Sequence, residues 1–173
     1  MKFDLNKSIE ILSRTPFTLE TMLDALSPQW INSNEGENTW SPYDIVGHLI
    51  HGEKTDWIPR MEIILSNSDD KNFKPFDRFA QFEDSKDKSL KQLLDEFKTL
   101  REKNIAILRS KNISATDLSK EGIHPAFGKV TLSQLLATWT VHDLNHIRQI
   151  VTRMAARYTD DVGPWRKYLS ILT

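Results

Sequence analysis

Thr131-Leu-Ser-Gln-Leu-Leu-Ala-Thr-Trp-Thr-Val-His-Asp-Leu-Asn-His-Ile-Arg-Gln-Ile150 decides the fold of this chain. Thr131 followed by Gln134 is a capping-box pattern that opens a helix. The apolar residues then recur at helical spacing to about Tyr158. On a wheel of about 100° per residue with His142 at zero, Leu135 falls near 20°, His146 near 40° and Trp139 near 60°. Leu132 and Ile150 follow near 80°, Leu136 and Met154 near 120°, and Val151 near 180°. The two histidines therefore stand on one margin of the buried arc and face inward. Buried imidazoles need hydrogen-bond partners or a metal, because an unpaired buried polar group is costly.

Working outward, three more helical patterns precede this one. The first runs from about Asp4 to Leu26, with Pro16 as a point of interruption and Ser27-Pro28 as its end. The second opens at Ser41-Pro42-Tyr43-Asp44, a cap residue with proline at the first helical position. It carries Ile45, Val46, Leu49, Ile50, Trp57, Met61 and Ile64 and is expected to kink at Pro59. The third follows Asp87 or Ser89 as a narrow stripe of Leu90, Leu93, Leu94, Phe97, Leu100, Ile107 and Leu108 in a lysine- and glutamate-rich, solvated background. No strand is expected. A short C-terminal helix is expected from Pro164.

The connections set the topology. Residues 30–40 form a polar loop of moderate length. Residues 67–87, with Phe73, Phe76, Phe79 and Phe82, make a connection far longer than the roughly 2–8 residues usual between bundle helices. Such a segment can run the length of the bundle and leave the second and third helices parallel, pinned by its phenylalanines. The expectation is one all-α domain over residues 1–173, a four-helix bundle with a long crossover between helices two and three.

Composition narrows the function. The 173 residues carry 23 basic and 24 acidic side chains, net charge −1, which gives no reason to expect nucleic acid or an anionic membrane as partner. No apolar run approaches a membrane span, and the N-terminus lacks the apolar segment of a signal peptide. The absence of cysteine removes disulfides, thiolate ligands and a cysteine nucleophile, and it suits a cytoplasmic setting.

His142 and His146, four residues apart on one helix face, can hold one divalent metal. The same spacing also suits two hydrogen-bonded core histidines. Asp143 stands where a zinc-protease helix has its glutamate, which removes that reading. A third ligand has to come from elsewhere. His48, beside Ile45 and Leu49 in the second helix, is the leading candidate, and His124 in the loop before the fourth helix can approach the same cavity. His51, His124 and Asp143 are candidates for supporting or catalytic roles. Glu53 and Asp56 read first as surface or capping acids, with pocket acids as the alternative, and Arg148 and Arg153 as helix-end charges, with binding of an anionic substrate as the alternative. Three neutral imidazoles would leave an open coordination position, the pattern of catalytic zinc, although imidazole suits nickel equally.

Three stretches resemble the DinB-like superfamily in order and spacing: Trp40-Ser-Pro-Tyr-Asp-Ile-Val-Gly-His48-Leu49 with Glu53, His124-Pro-Ala-Phe-Gly128 with Thr131-Leu132, and His142-Asp-Leu-Asn-His-Ile-Arg-Gln-Ile150. The resemblance covers about Asp4 to Met154. It implies an up-down-down-up bundle with one divalent metal, nickel or zinc, on His48, His142 and His146. Position 51, often acidic in relatives, is histidine. The resemblance further implies a metal-dependent enzyme acting on small molecules, with thiol-dependent S-transfer to small electrophiles using a low-molecular-weight thiol as the leading expectation. A metal-dependent hydrolase and a non-catalytic metal- or ligand-binding protein are the alternatives. Many members of the family are homodimers.

Overall fold

A computed structural model describes residues 2–34, 36 and 39–172. Glu35, Glu37 and Asn38 of the expected 30–40 loop lie outside the described residues, as do the two terminal residues. The helices are α1 (Leu5–Leu23), α2 (Pro28–Ile31), α3 (Pro42–Thr55), α4 (Trp57–Leu65), α5 (Ala80–Ser85), α6 (Leu90–Ser110) and α7 (Leu132–Ala156). Four of the predicted boundaries rest on local chemistry legible in the chain. The Asp4 carboxylate accepts from the Lys7 amide to cap α1. Ser41 with Asp44, Ser89 with Gln92, and Thr131 with Gln134 each close a reciprocal capping box.

Two prolines behave differently from expectation. Pro16 does not interrupt α1, which runs through it to Leu23. The second bundle helix breaks at Asp56 (φ −110°, ψ −68°), three residues before Pro59. A proline ring clashes with the carbonyl four residues back and offers it no donor, so the helix yields upstream of the proline. The expectation of no strand is also corrected. β1 (Glu121–His124) and β2 (Gly128–Thr131) form an antiparallel hairpin, with Gly122 opposite Val130 and His124 opposite Gly128. Gly128 adopts φ +71°, a conformation that glycine enters without steric cost. Four-residue strands carry too little alternation to register in sequence. The C-terminal segment from Gly163 to Tyr168 is a 3₁₀ helix.

Helix direction follows from the contacts. Along α3–α4 and α6, Tyr43 bonds the Ser85 and Lys88 carbonyls just before α6, Glu53 meets Arg101 and Asn104, and Glu62 meets Lys111. Both numbers rise together, so these helices are parallel. Against α7 the order reverses: His48 meets His142, and Glu53 meets Trp139. α1 is antiparallel to α6, with Leu12 at Arg101 and Glu20 at Lys98. The bundle is therefore up-down-down-up, and residues 66–89 return along its length. Two hydrogen bonds with Ile123 of β1 anchor that crossover at its start, one from the Phe73 amide and one to the Lys71 carbonyl. At its far end α5 packs on α3, close enough that the Gly47 position leaves no room for a Cβ beside Ser85 Oγ. Of the four crossover phenylalanines, Phe73 is buried, Phe76 is partly buried, and Phe79 and Phe82 are exposed.

The core has two apolar clusters. One gathers Leu12, Trp57, Met61, Ile105, Leu135 and Trp139. The other gathers Leu19, Ile45, Leu49, Phe97 and Ile150. Between them, on every bundle helix, lies a buried polar layer.

Candidate metal centre

That polar layer is built around Arg101, which is 1% exposed. Its guanidinium grips both carboxylate oxygens of Asp143 and donates to Glu53 Oε1 at 2.8 Å and to the Leu12 carbonyl at 2.9 Å. Trp139 Nε1 and Asn104 Nδ2 complete the Glu53 carboxylate at 3.0 Å each. Pro16 explains why the Leu12 carbonyl is available: a proline at position i+4 has no N–H to give it. Arg101 thus ties α1, α3, α6 and α7 at one level. Burial works against the charge on Arg101, but the Asp143 and Glu53 carboxylates outweigh it and raise its pKa above the usual arginine value. Burial pushes the Glu53 pKa up, against the pull of Arg101. Glu53, read from sequence as a surface or capping acid, is instead a buried structural carboxyl group within the bundle. Asp143 is fully buried with both oxygens on Arg101 and does not line the cavity described below.

On one side of this level, three imidazoles converge. His48 Nε2 and His146 Nε2 each lie 3.1 Å from His142 Nε2, and the potential ligand atoms of the trio all fall within 4.8 Å of one another. Two glutamines orient the outer rings. His48 Nδ1 donates to Gln81 Oε1 and His146 Nδ1 to Gln149 Oε1, both at 2.9 Å. With their protons on Nδ1, His48 and His146 present bare Nε2 lone pairs to His142, whose one ring proton can satisfy only one of them. The donor set therefore lacks a positive centre, and a divalent cation fits it. Metal-nitrogen bonds of about 2.0–2.1 Å put adjacent ligand nitrogens about 2.9–3.4 Å apart for angles between a right angle and a tetrahedral one, a range that includes both 3.1 Å spacings to His142. The second imidazole nitrogen bonded to an amide oxygen is the usual support of a metal-ligating histidine.

Burial first, and then the neighbouring imidazoles, lower the His48 pKa to about 4 and the His142 pKa to about 2. Burial also lowers that of His146. All three rings are neutral at pH 7, the form that ligates. Trp57 packs edge-on to His142 at 5.0 Å between centroids, and Trp40 lies 4.8 Å from His48.

The trio opens on a cavity of about 1050 Å³. His124 is on its wall, stacked on Phe127, with Nδ1 accepting from the Ala126 amide. Asp56, also expected at the surface, is buried on the same wall and ion-paired to Arg60 at 2.6 Å; burial raises its pKa. His51 is buried elsewhere, 3.5 Å from Asp84 and edge-on to Phe76. Arg148 is exposed, whereas Arg153 borders the cavity. Gln81 and Arg101 were not singled out by pattern. Arg101 had a signal: it falls four residues after Phe97 and four before Ile105, within the apolar stripe of α6. Gln81 had none, because its position depends on where the crossover returns.

The model of the DinB superfamily matches residues 11–150. No curated protein matches. Among solved structures, YfiT from Bacillus subtilis, described as a probable metal-dependent hydrolase with an unusual four-helix bundle topology, superimposes with a TM-score of 0.75 at 20% identity, covering 92% of this chain and 90% of that one. That likeness concerns the fold. With the family model spanning most of the sequence, from α1 through the histidines of α7, the chain belongs to the DinB superfamily.

Proposed function

We propose that this protein is a metal-dependent hydrolase of small molecules, with one divalent ion, zinc or nickel, held by Nε2 of His48, His142 and His146. The observation that carries the reading is the convergence of three neutral imidazole nitrogens at the wall of a large cavity. The metal would supply Lewis acidity there. Gln81 and Gln149 hold the outer rings in the ligating tautomer, and Trp57 shields His142 from water. Two groups on the cavity wall can move protons. Asp56 offers Oδ2 as an acceptor, since Arg60 holds Oδ1. His124, with Nδ1 accepting from the backbone, keeps its proton on Nε2 and offers a donor. The description of YfiT as a probable metal-dependent hydrolase agrees with this reading.

Thiol-dependent S-transfer is the second reading. The cavity volume, about 1050 Å³, favours it, because typical small-molecule sites run from about 300 to 1000 Å³ and this one has room for a thiol beside an electrophile.

Elemental analysis of untagged protein, followed by ester, amide and thiol-plus-electrophile panels, tests both. We expect one divalent ion per chain, lost in His142→Ala, and ester or amide turnover that falls with the metal. Thiol conjugation without hydrolysis would favour the second reading. Metal uptake unaffected by His142→Ala would sink the site, and metal-dependent stability without turnover in any panel would leave a binding protein.

A further inference from the structure

The cavity differs from the rest of the molecule in charge and in lining. The chain as a whole has net charge −1. Among the described residues of the cavity wall, Arg60 pairs with the carboxylate of Asp56, and Arg78 adds a further cation. Arg78 is exposed, has no ion pair among the described residues, and lines the same cavity as His48, His142 and His146. It therefore brings a cation to the neighbourhood of the imidazoles. The rim is aromatic on two sides. Phe79, 65% exposed, and Phe82 stack on each other on the crossover, and Phe127, 78% exposed, stands on the hairpin tip. Large aromatic rings left bare around a concavity mark a surface that something apolar covers, and an arginine on its wall with no carboxylate partner, as Arg78 is among the described residues, marks an anion.

We propose that the cavity binds an aryl-bearing monoanion, its ring against Phe79, Phe82 and Phe127 and its carboxylate or sulfonate facing Arg78. This deepens the reading of the same site as a metal-dependent hydrolase: the substrate would be an ester or amide of such an anion. The reaction rests on that reading, but the binding does not.

The test uses the full-length chain, once stripped of metal and once loaded with zinc. It is titrated with 8-anilinonaphthalene-1-sulfonate and with the neutral N-phenyl-1-naphthylamine, with circular dichroism confirming that each sample is folded. The sulfonate should saturate at one per chain and bind more tightly than the neutral probe. Arg78→Gln should weaken the sulfonate by about tenfold, the scale of one charge-assisted hydrogen bond, and leave the neutral probe within about twofold. Phe79→Ser should weaken both probes. Equal binding of the two probes, or sulfonate binding indifferent to Arg78→Gln, overturns the proposal. If these binding effects appear without hydrolysis by the zinc-loaded protein, the hydrolase reading fails and this one stands. If hydrolysis depends on the histidines but prefers neutral alkyl esters, this one fails alone.

Discussion

At the scale of single residues, the polar layer contains two kinds of group. The histidines are polar positions on apolar helix faces, which sequence can flag because their neighbours at helical spacing are Ile45, Leu49 and Trp139. Arg101, Glu53 and Asp143 obey the same rule, but as charges they read as surface until three helices bring them together. A buried charge is tolerable only when paired, so removing one partner costs far more than the pair itself contributes. Arg101→Met should therefore lower the unfolding free energy by about 3–5 kcal/mol, by leaving two carboxylates facing apolar neighbours. Urea denaturation at pH 7 measures it. A loss under about 1 kcal/mol would mean that the carboxylates are solvated or neutral without Arg101, and that the layer is not held by it.

At the scale of elements, the capped helices and the long crossover were predictable, and the bend at Asp56 and the hairpin were not. Caps are local chemistry, satisfied within three residues. The bend at Asp56 and the hairpin are settled by what lies next to them. Gly122 shows how tightly. A Cβ there would stand 2.4 Å from Phe73 Cε1 and 2.9 Å from Ile64 Cγ1, so α4, β1 and the start of the crossover meet around a missing side chain. Gly122→Ala should cost about 1–3 kcal/mol, the usual scale of overpacking, and should loosen Phe73 on the cavity wall. Chemical denaturation reads the first effect and limited proteolysis of residues 66–89 the second. Wild-type behaviour in both would show that the hairpin slides to make room.

At the scale of the whole molecule, the buried histidines couple stability to pH. Their folded pKa values lie below the ordinary 6.5, so as pH falls below about 6.5 the unfolded chain takes up protons that the folded one refuses. Stability is then full above that pH and declines on acidification, for His48 down to about 4. Each histidine contributes at most about 1.4 kcal/mol per pH unit. Glu53 and Asp56, whose pKa values burial raises, act with the opposite sign above the ordinary carboxylate range. The histidine contribution is therefore read from the variant: in the metal-free protein His48→Gln should lose less stability than the wild type from pH 7 to 5.5. Equal changes in the two proteins would rule the mechanism out. The sequence by itself determined the four helices, their caps, the long crossover and the inward-facing histidines, because these follow from periodicity, capping chemistry and chain length. Only the tertiary structure decided that Gln81 and Gln149 orient the imidazoles, that Arg101 joins four helices through a carbonyl freed by Pro16, and that Asp56 and three arginines border one cavity. Apart from Gln149, which stands three residues from His146 on the same helix, those pairings join residues tens of positions apart in sequence, and only the packed bundle brings them within a few ångströms.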